Sequence, residues 1–479
     1  MKKVNSIPKA SRRSFQLYYS LGQGVEALVY TSINNFLFYY LTLIVGLQTF
    51  TAGLIILSSL IIDGIANTII GNYSDTYISP IGRRHPFMIY SIFPLAASVG
   101  LLFSLPMNLD GTSLIAYVIF LNMVMRVSLG VFVIPYGALA VELWSNYDER
   151  SLISLLRAAM SSVLSIALLM ISFQCFFSGN EGISRESAYP LLGWTTSALI
   201  LFFGLICWST TLSEAKKLAY KNDQNRFSLK ELANDFREMS SSPTFRKLSA
   251  GLLLSLISSG LMFNLNLYVM KFVWGMSEQV IKYSVMAFPF GFFLGLALTS
   301  FILSKVEKNT GAALSNLFLA VLLSCITGIS LTSAQGNIGS SISWIAIGTF
   351  GLFGCSSTLL TVSIYSMIAD AVDEHELLFG GRKEGTYYSA LVLGSKLSAG
   401  IGSALAGLGL QLIGFTPELT DPFGSISSGH HTGLLAIWGL VPAATFLIAA
   451  VIFTSYHLDR QELQKIQKEL SNRKHSTLL

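Results

Sequence analysis

Apolar and polar residues alternate along this chain on the scale of whole helices. Long runs dominated by Leu, Ile, Val, Phe, Ala and Gly are separated by short polar segments. A hydrocarbon core about 30 Å thick needs roughly 20 such residues per helix. The runs predict twelve spans, at about 17–44, 50–72, 86–107, 113–143, 152–178, 190–212, 247–273, 281–304, 311–333, 340–371, 386–414 and 431–456. One longer polar segment, 213–246, divides them six and six. Within it Leu229, Leu232 and Phe236 recur at helical spacing and predict an amphipathic helix lying on the membrane surface. The expected organisation is a six-helix half over 1–212, a linker over 213–246, a second half over 247–456 and a polar tail over 457–479. This is an all-α membrane protein, with twelve transmembrane helices in two six-helix halves.

The basic residues orient the spans. Lys2, Lys3, Lys9, Arg12 and Arg13 precede the first; Arg83, Arg84, Arg150, the cluster from Lys216 to Lys247, Lys305, Lys308, Arg382 and Lys383 occupy alternate loops. Arg460, Lys465, Lys468, Arg473 and Lys474 follow the last span, and the opposite loops hold little beyond Arg185 and Lys282. The excess of Lys and Arg marks the cytoplasmic side, so both termini are expected there, in a plasma (inner) membrane. The halves are weakly self-similar: Glu142 closes span four before Asp148-Glu-Arg150, and Asp370 and Asp373 close span ten before Gly380-Gly-Arg-Lys-Glu-Gly385. Each such loop can form a cytoplasmic ion-pair cluster. Two repeated halves are the arrangement of secondary transporters.

Composition agrees: 52% of residues are hydrophobic and only 12% charged, against roughly 25% charged in soluble domains. A net charge of +5 is accounted for by topology, so no nucleic-acid partner is implied. The cysteines (Cys175, Cys207, Cys325, Cys355) all lie in apolar runs at spacings that match no metal motif. No Ser/His/Asp or metal-spaced cluster marks an enzyme. No cleavable signal peptide is expected, because the first apolar run is too long and lacks a small-residue cleavage site.

The chemistry lies in polar groups within the apolar runs. Asp63 sits about midway along span two, with Asn67 one turn on. An ionised carboxylate at that depth costs roughly 2.5–3.5 kcal/mol on insertion scales, so it should face a cavity, a cation or a basic partner. Lys396 in span eleven needs a counter-charge, and Asp63 is a candidate. Arg126, midway in span four, could hold an anionic substrate by bidentate hydrogen bonds or pair with Glu26 of span one. Arg157, near the start of span five, could line the cavity or snorkel to the interface. Tyr136, after Pro135, could line the cavity, though core packing suits it better. Of the adjacent Asn34 and Asn35, at least one should hydrogen-bond between helices. Trp144, Trp194, Trp274 and Trp344 lie near span ends and read as an interface belt. Gly394, Gly400, Gly402 and Gly407 suit close helix packing.

Three groups of residues resemble the glycoside-pentoside-hexuronide:cation symporter family of the major facilitator superfamily. They are Asp63-Gly-Ile-Ala-Asn-Thr-Ile-Ile-Gly71 with Gly82-Arg-Arg-His-Pro86; Ile134-Pro-Tyr-Gly-Ala-Leu139 with Asp148-Glu-Arg150 and Arg157; and Met367-Ile-Ala-Asp-Ala-Val-Asp-Glu374 with Gly381-Arg-Lys-Glu-Gly385, Lys396 and Gly414-Phe-Thr-Pro417. The resemblance covers nearly the whole chain and implies the major facilitator fold. It also implies that Asp63 belongs to a cation site, that Lys396 lies near the cation and sugar sites, and that Arg157 lies at the sugar site. The departures are specific. The family's second helix-two acid is Asn67 here, its galactoside-binding helix-one acid falls near Ala27 beside Glu26, and its helix-four aspartate and tryptophan align with Val133 and Gly137.

The resulting expectation is a monomeric cation-coupled symporter of a small organic solute: a glycoside, sugar acid or other anionic or zwitterionic molecule. Asp63 and Asn67 would bind the coupling ion, H+ or Na+, with no other cofactor. Arg126, Arg157, Lys396, Glu26 and Tyr136 are the candidate substrate residues. Gly71, Asp75, Arg83 and Arg84, with the counterparts Asp370, Asp373 and Arg382, would form cytoplasmic gates. Asn67 supplies no charge, which favours a proton over sodium. A uniporter or exchanger on the same fold, and a non-transporting membrane receptor, remain the alternatives.

Overall fold

The first apolar run is helical over the span expected at 17–44 but is not uniformly α-helical. Helix α1 (Lys9–Ser20) and helix α2 (Gly22–Ser32) meet at a turn at Leu21, and two π-helical stretches follow, Ile33–Leu37 and Tyr40–Ile44. Gly22 and Gly24 follow this turn. A Cβ on Gly22 would lie 2.5 Å from the Tyr136 ring, and one on Gly24 2.2 Å from Leu164. At Gly22 the Tyr136 ring leaves no room for a side chain unless it shifts, and glycine weakens the local helix.

The computed structural model describes residues 9–77, 79–106, 109–144, 147–179, 181–216, 237–333, 339–381, 383–415 and 428–477. Among these it has no strand, and 11 helices are long and apolar enough to cross a membrane, besides the helical first run. The chain is an integral membrane protein. The helices are α3 (Thr49–Thr76), α4 (His85–Leu102), α5 (Gly111–Leu143), α6 (Tyr147–Ile171), α7 (Ala188–Ala215), α8 (Pro243–Tyr268), α9 (Glu278–Lys305), α10 (Lys308–Ser333), α11 (Gly339–Phe379) and α12 (Glu384–Leu412). The last span joins α13 (Ser428–Leu435) to α14 (Val441–Thr454) through a π-helical stretch, Ala436–Leu440. A terminal helix, α15 (Arg460–Thr477), follows. The segment expected to lie on the membrane, with Leu229, Leu232 and Phe236, is outside the described residues.

Two compact units result, Met1–Tyr40 with Ile62–Asn225 and Leu41–Ile61 with Arg226–Leu479. In the first, α4 packs against α5 and α7, and α2 against α6 and α7. In the second, the Gly400–Gly407 run does bring backbones together as its small residues suggest. A Cβ on Gly402 would lie 2.7 Å from the Ile257 carbonyl, and one on Gly407 2.2 Å from that of Thr49. The Thr49 hydroxyl donates to the Gly407 carbonyl at 2.9 Å. An equally close seam joins α9 to α11, where a Cβ on Gly291 would lie 2.0 Å from the Gly351 carbonyl. Those glycines lie far apart in sequence and form no visible run.

Helix α11 continues well past its expected end at 371. Ala371 and Val372 are fully buried in a cluster with Met239, Phe245, Tyr387 and Phe453, and these contacts hold a charged turn helical. The polar tail joins the same cluster. Ile466 and Leu470, four apart on α15, are buried there, Arg460 pairs with Glu307 at 3.2 Å, and Gln467 donates to Asp373 at 3.1 Å. Burial, and then the negative charges of Asp370 and Glu374, push the phenol of Tyr456 up, so it stays a neutral donor to the Met367 carbonyl. The aromatic belt needs correction. Trp144 and Trp274 are buried, the first against Tyr19 with ring centroids 4.9 Å apart, the second donating to Ser330. Trp194 and Trp344 are exposed, as a belt requires.

Candidate functional site

The first unit concentrates buried polar groups from four helices. Gln23, Glu26 and Tyr30 recur along α2 at three- and four-residue spacing and so share one face. Tyr30 lies within electrostatic reach of Glu26, Arg126 and Asp63, and Arg126 hydrogen-bonds to its hydroxyl. The Arg126 guanidinium also stands 5.8 Å from the centre of the Tyr30 ring. Asp63 is 1% exposed and Arg126 2%. Charges so fully withdrawn from water are tolerable only where opposite charges and hydrogen bonds compensate them. Tyr30 is the phenol around which one guanidinium and two carboxylates gather.

Asn67, one turn after Asp63 on α3, packs against α5. Its Oδ1 lies 2.1 Å from where a Cβ on Gly130 would sit, so Gly130 leaves the space the amide occupies. Arg157 of α6 enters from another side. Its Nε and Nη2 donate to the Gln23 Oε1 at 2.9 and 2.7 Å, and the Gln23 amide in turn donates to Glu26. Gln23 thus links Arg157 to the carboxylate. Of the predicted residues, Asp63, Glu26, Arg126 and Arg157 are brought into this network, and Asn67 borders it across α3 and α5. Lys396 lies on α12 of the second unit and is half-buried.

Tyr136 is a core residue and not a lining one. It is fully buried, stacks on Tyr19 at 4.6 Å, and exchanges hydrogen bonds with it: each hydroxyl donates to the other's carbonyl, at 2.7 and 3.1 Å. Arg157 stands 4.9 Å over its ring, so Tyr136 supports the site from behind. Asn35 donates to the Thr31 carbonyl of its own helix at 2.8 Å, where a bond between helices was expected, and Asn34 is exposed.

Ion-pair clusters form in each of the two units. Arg83 and Arg84, between α3 and α4, both donate to Glu142 near the end of α5, at 2.5 and 3.1 Å, and Arg84 also reaches Ser74 at 2.8 Å. Lys308, at the start of α10, pairs with Asp370 on α11 at 2.7 Å. Each basic loop therefore meets an acid toward the end of a long helix of its own unit, Glu142 on α5 or Asp370 on α11. Glu374 takes hydrogen bonds from Thr244 and Ser242 at 2.9 and 3.1 Å. A Cβ on Gly71 would lie 3.9 Å from Ile134. Arg382 and the side chain of Asp75 are outside the described residues.

The sequence reading missed Gln23, Tyr30 and the space at Gly130. The first two were within reach, since they lie three residues before and four after Glu26 on one helical face. Gly130 was not, because nothing local to α5 announces an amide from α3.

Comparison with known proteins gives a consistent picture. A family profile described as MFS/sugar transport protein matches residues 18–460. The chain is 21% identical over 487 residues to an uncharacterized symporter, YnaJ, of Bacillus subtilis (strain 168), covering 99% of this chain and 96% of the relative. It is 23% identical over 468 residues to the glucuronide carrier protein homolog of Escherichia coli (strain K12), covering 95% of each. Among solved structures, the inward-open xylose transporter XylE from E. coli shares the fold, with a TM-score of 0.63 at 12% identity over 95% of this chain and 99% of that one.

Proposed function

Because the chain belongs to the MFS/sugar transport protein family, we propose that this transporter is a cation-coupled symporter of a small anionic solute, working by alternating access. The observation that carries this reading is Arg126, 2% exposed and hydrogen-bonded to Tyr30, with Asp63 and Glu26 within electrostatic reach of that phenol. A guanidinium so placed offers an acidic solute a charge-assisted contact in a dry setting, where such contacts are strongest. Glu26 and Asp63 balance it when the solute is away. A sugar acid is the solute class that the name of the E. coli relative also supports.

Asp63 is the coupling carboxylate in this reading, and a proton is its partner. Asn67 contributes only a carbonyl oxygen, without the second negative charge that would strengthen a sodium site. Uptake of methyl glucuronide into membrane vesicles at fixed pH tests this. A protonophore is expected to abolish accumulation, and replacing sodium by choline to leave it unchanged. Sodium stimulation that survives the protonophore would reverse the ion assignment. Asn67→Asp is expected to increase sodium dependence. Uniport or exchange is the reading left if neither ion gradient drives accumulation.

Both termini are cytoplasmic in this reading, supported by the Lys and Arg asymmetry. Alkaline phosphatase, active only outside the cytoplasm, is expected to be inactive when fused after Leu479, and high activity would contradict the orientation.

A further inference from the structure

We propose that Asn122 is a solute-binding residue that works beside Arg126, and that together they recognise a carboxylate with a hydroxyl next to it. The inference rests on the reading of an anionic solute and adds the residue that would read the solute's neighbouring hydroxyl. Asn122 lies on α5 one turn before Arg126, so the two share a face. It is fully buried, yet neither its Oδ1 nor its Nδ2 has a hydrogen-bond partner among the described residues. The Nε–H of Arg126 also lacks one.

A buried amide without partners loses its bonds to water and gains nothing in return. The surrounding positions on α5 are apolar and packed: Val118, Leu121, Met125 and Leu129 are all buried. A leucine at 122 would suit that setting better than an amide. Among the described residues, the two other asparagines whose side chains are buried are bonded. Asn316 donates to the Ala312 carbonyl at 2.9 Å and accepts from Ser255 at 2.7 Å, and Asn266 accepts from Trp438 at 2.7 Å. Asn122 departs from this pattern next to the buried guanidinium.

The two open groups are complementary. Arg126 only donates, which suits a carboxylate; an amide donates and accepts, which suits a hydroxyl. A sugar acid presents both on adjacent carbons. A residue kept for ligand binding at the expense of packing has a distinct signature: its replacement by an apolar side chain stabilises the empty protein and weakens the complex.

The test is thermal unfolding of the full-length purified protein, titrated with methyl glucuronide and with methyl glucoside. Asn122→Leu is expected to raise the melting temperature without ligand and to weaken methyl glucuronide binding at least tenfold. Asn122→Asp, of the same shape, keeps the acceptor and adds a negative charge. It is expected to weaken methyl glucuronide far more than methyl glucoside. Wild-type affinity for both glycosides in both variants, with methyl glucuronide binding lost in Arg126→Gln, would overturn the role of Asn122 and leave the anionic reading standing. Wild-type glucuronide affinity in Arg126→Gln, with both glycosides lost in Asn122→Leu, would overturn the anionic reading and keep Asn122 as a contact. If neither glycoside binds the wild-type protein, both fall.

Discussion

Asp63→Asn is expected to abolish gradient-driven accumulation while leaving the protein inserted and able to exchange solute across the membrane. The reason is charge. Asp63 is 1% exposed and shares the surroundings of Tyr30 with Glu26 and Arg126. An asparagine keeps the shape and can still accept hydrogen bonds, but it has no proton to carry. If one proton travels with each monoanionic solute, the cycle is electroneutral. A pH difference of one unit, worth about 1.4 kcal/mol, then supports roughly tenfold accumulation. The variant should bring labelled solute only to equal concentrations on the two sides. Counterflow of labelled against unlabelled solute, which needs no net movement of the coupling ion, should persist. Accumulation at the wild-type level in Asp63→Asn would mean that the carboxylate serves structure alone.

Arg126→Gln carries the second large effect. A hydrogen bond to a charged group is worth about 1.5–3 kcal/mol, so losing the guanidinium should weaken an anionic solute by roughly 10- to 150-fold. A neutral analogue should lose far less. The substitution also removes the positive charge near Asp63 and Glu26, and breaking a buried pair in this way typically costs about 3–5 kcal/mol. The affinity comparison is therefore to be made on protein whose abundance and melting behaviour have been measured. Arg126→Lys separates the two effects: it keeps the charge and gives up the planar two-pronged geometry. It should recover stability before it recovers affinity. An Arg126→Gln protein with unchanged affinity for methyl glucuronide would remove the main support for an acidic solute.

How far the site could be read in advance differs residue by residue. Asp63, Arg126, Arg157, Glu26 and Lys396 stood out because each is an ionisable group inside an apolar run, and the insertion cost makes such a residue conspicuous without any structure. Tyr136 was harder. Its place after Pro135 left lining and packing both open, and the reciprocal bonds with Tyr19, 117 positions away, put it in the core. Trp144 misled for a related reason. Its place at a span end suggests the interface, but Tyr19 and Phe15 pack on it from a distant segment.

The bilayer explains what the sequence by itself determined. A membrane core leaves no backbone group unsatisfied, so each apolar run of sufficient length has to be a helix, and the order of the helices follows from composition along the chain. Partnership is another matter. Helical periodicity tells which side chains share a face, but not which face of which other helix they meet. Glu142 gathers Arg83 and Arg84, and Asp370 takes Lys308 from another loop. Asn67 fits the space left by Gly130, and Gly291 meets Gly351 backbone to backbone. The polar tail becomes a helix because Ile466 and Leu470 find a core at the end of α11. Each of these depends on close approach between residues distant in sequence, and only the packed tertiary structure brings them together.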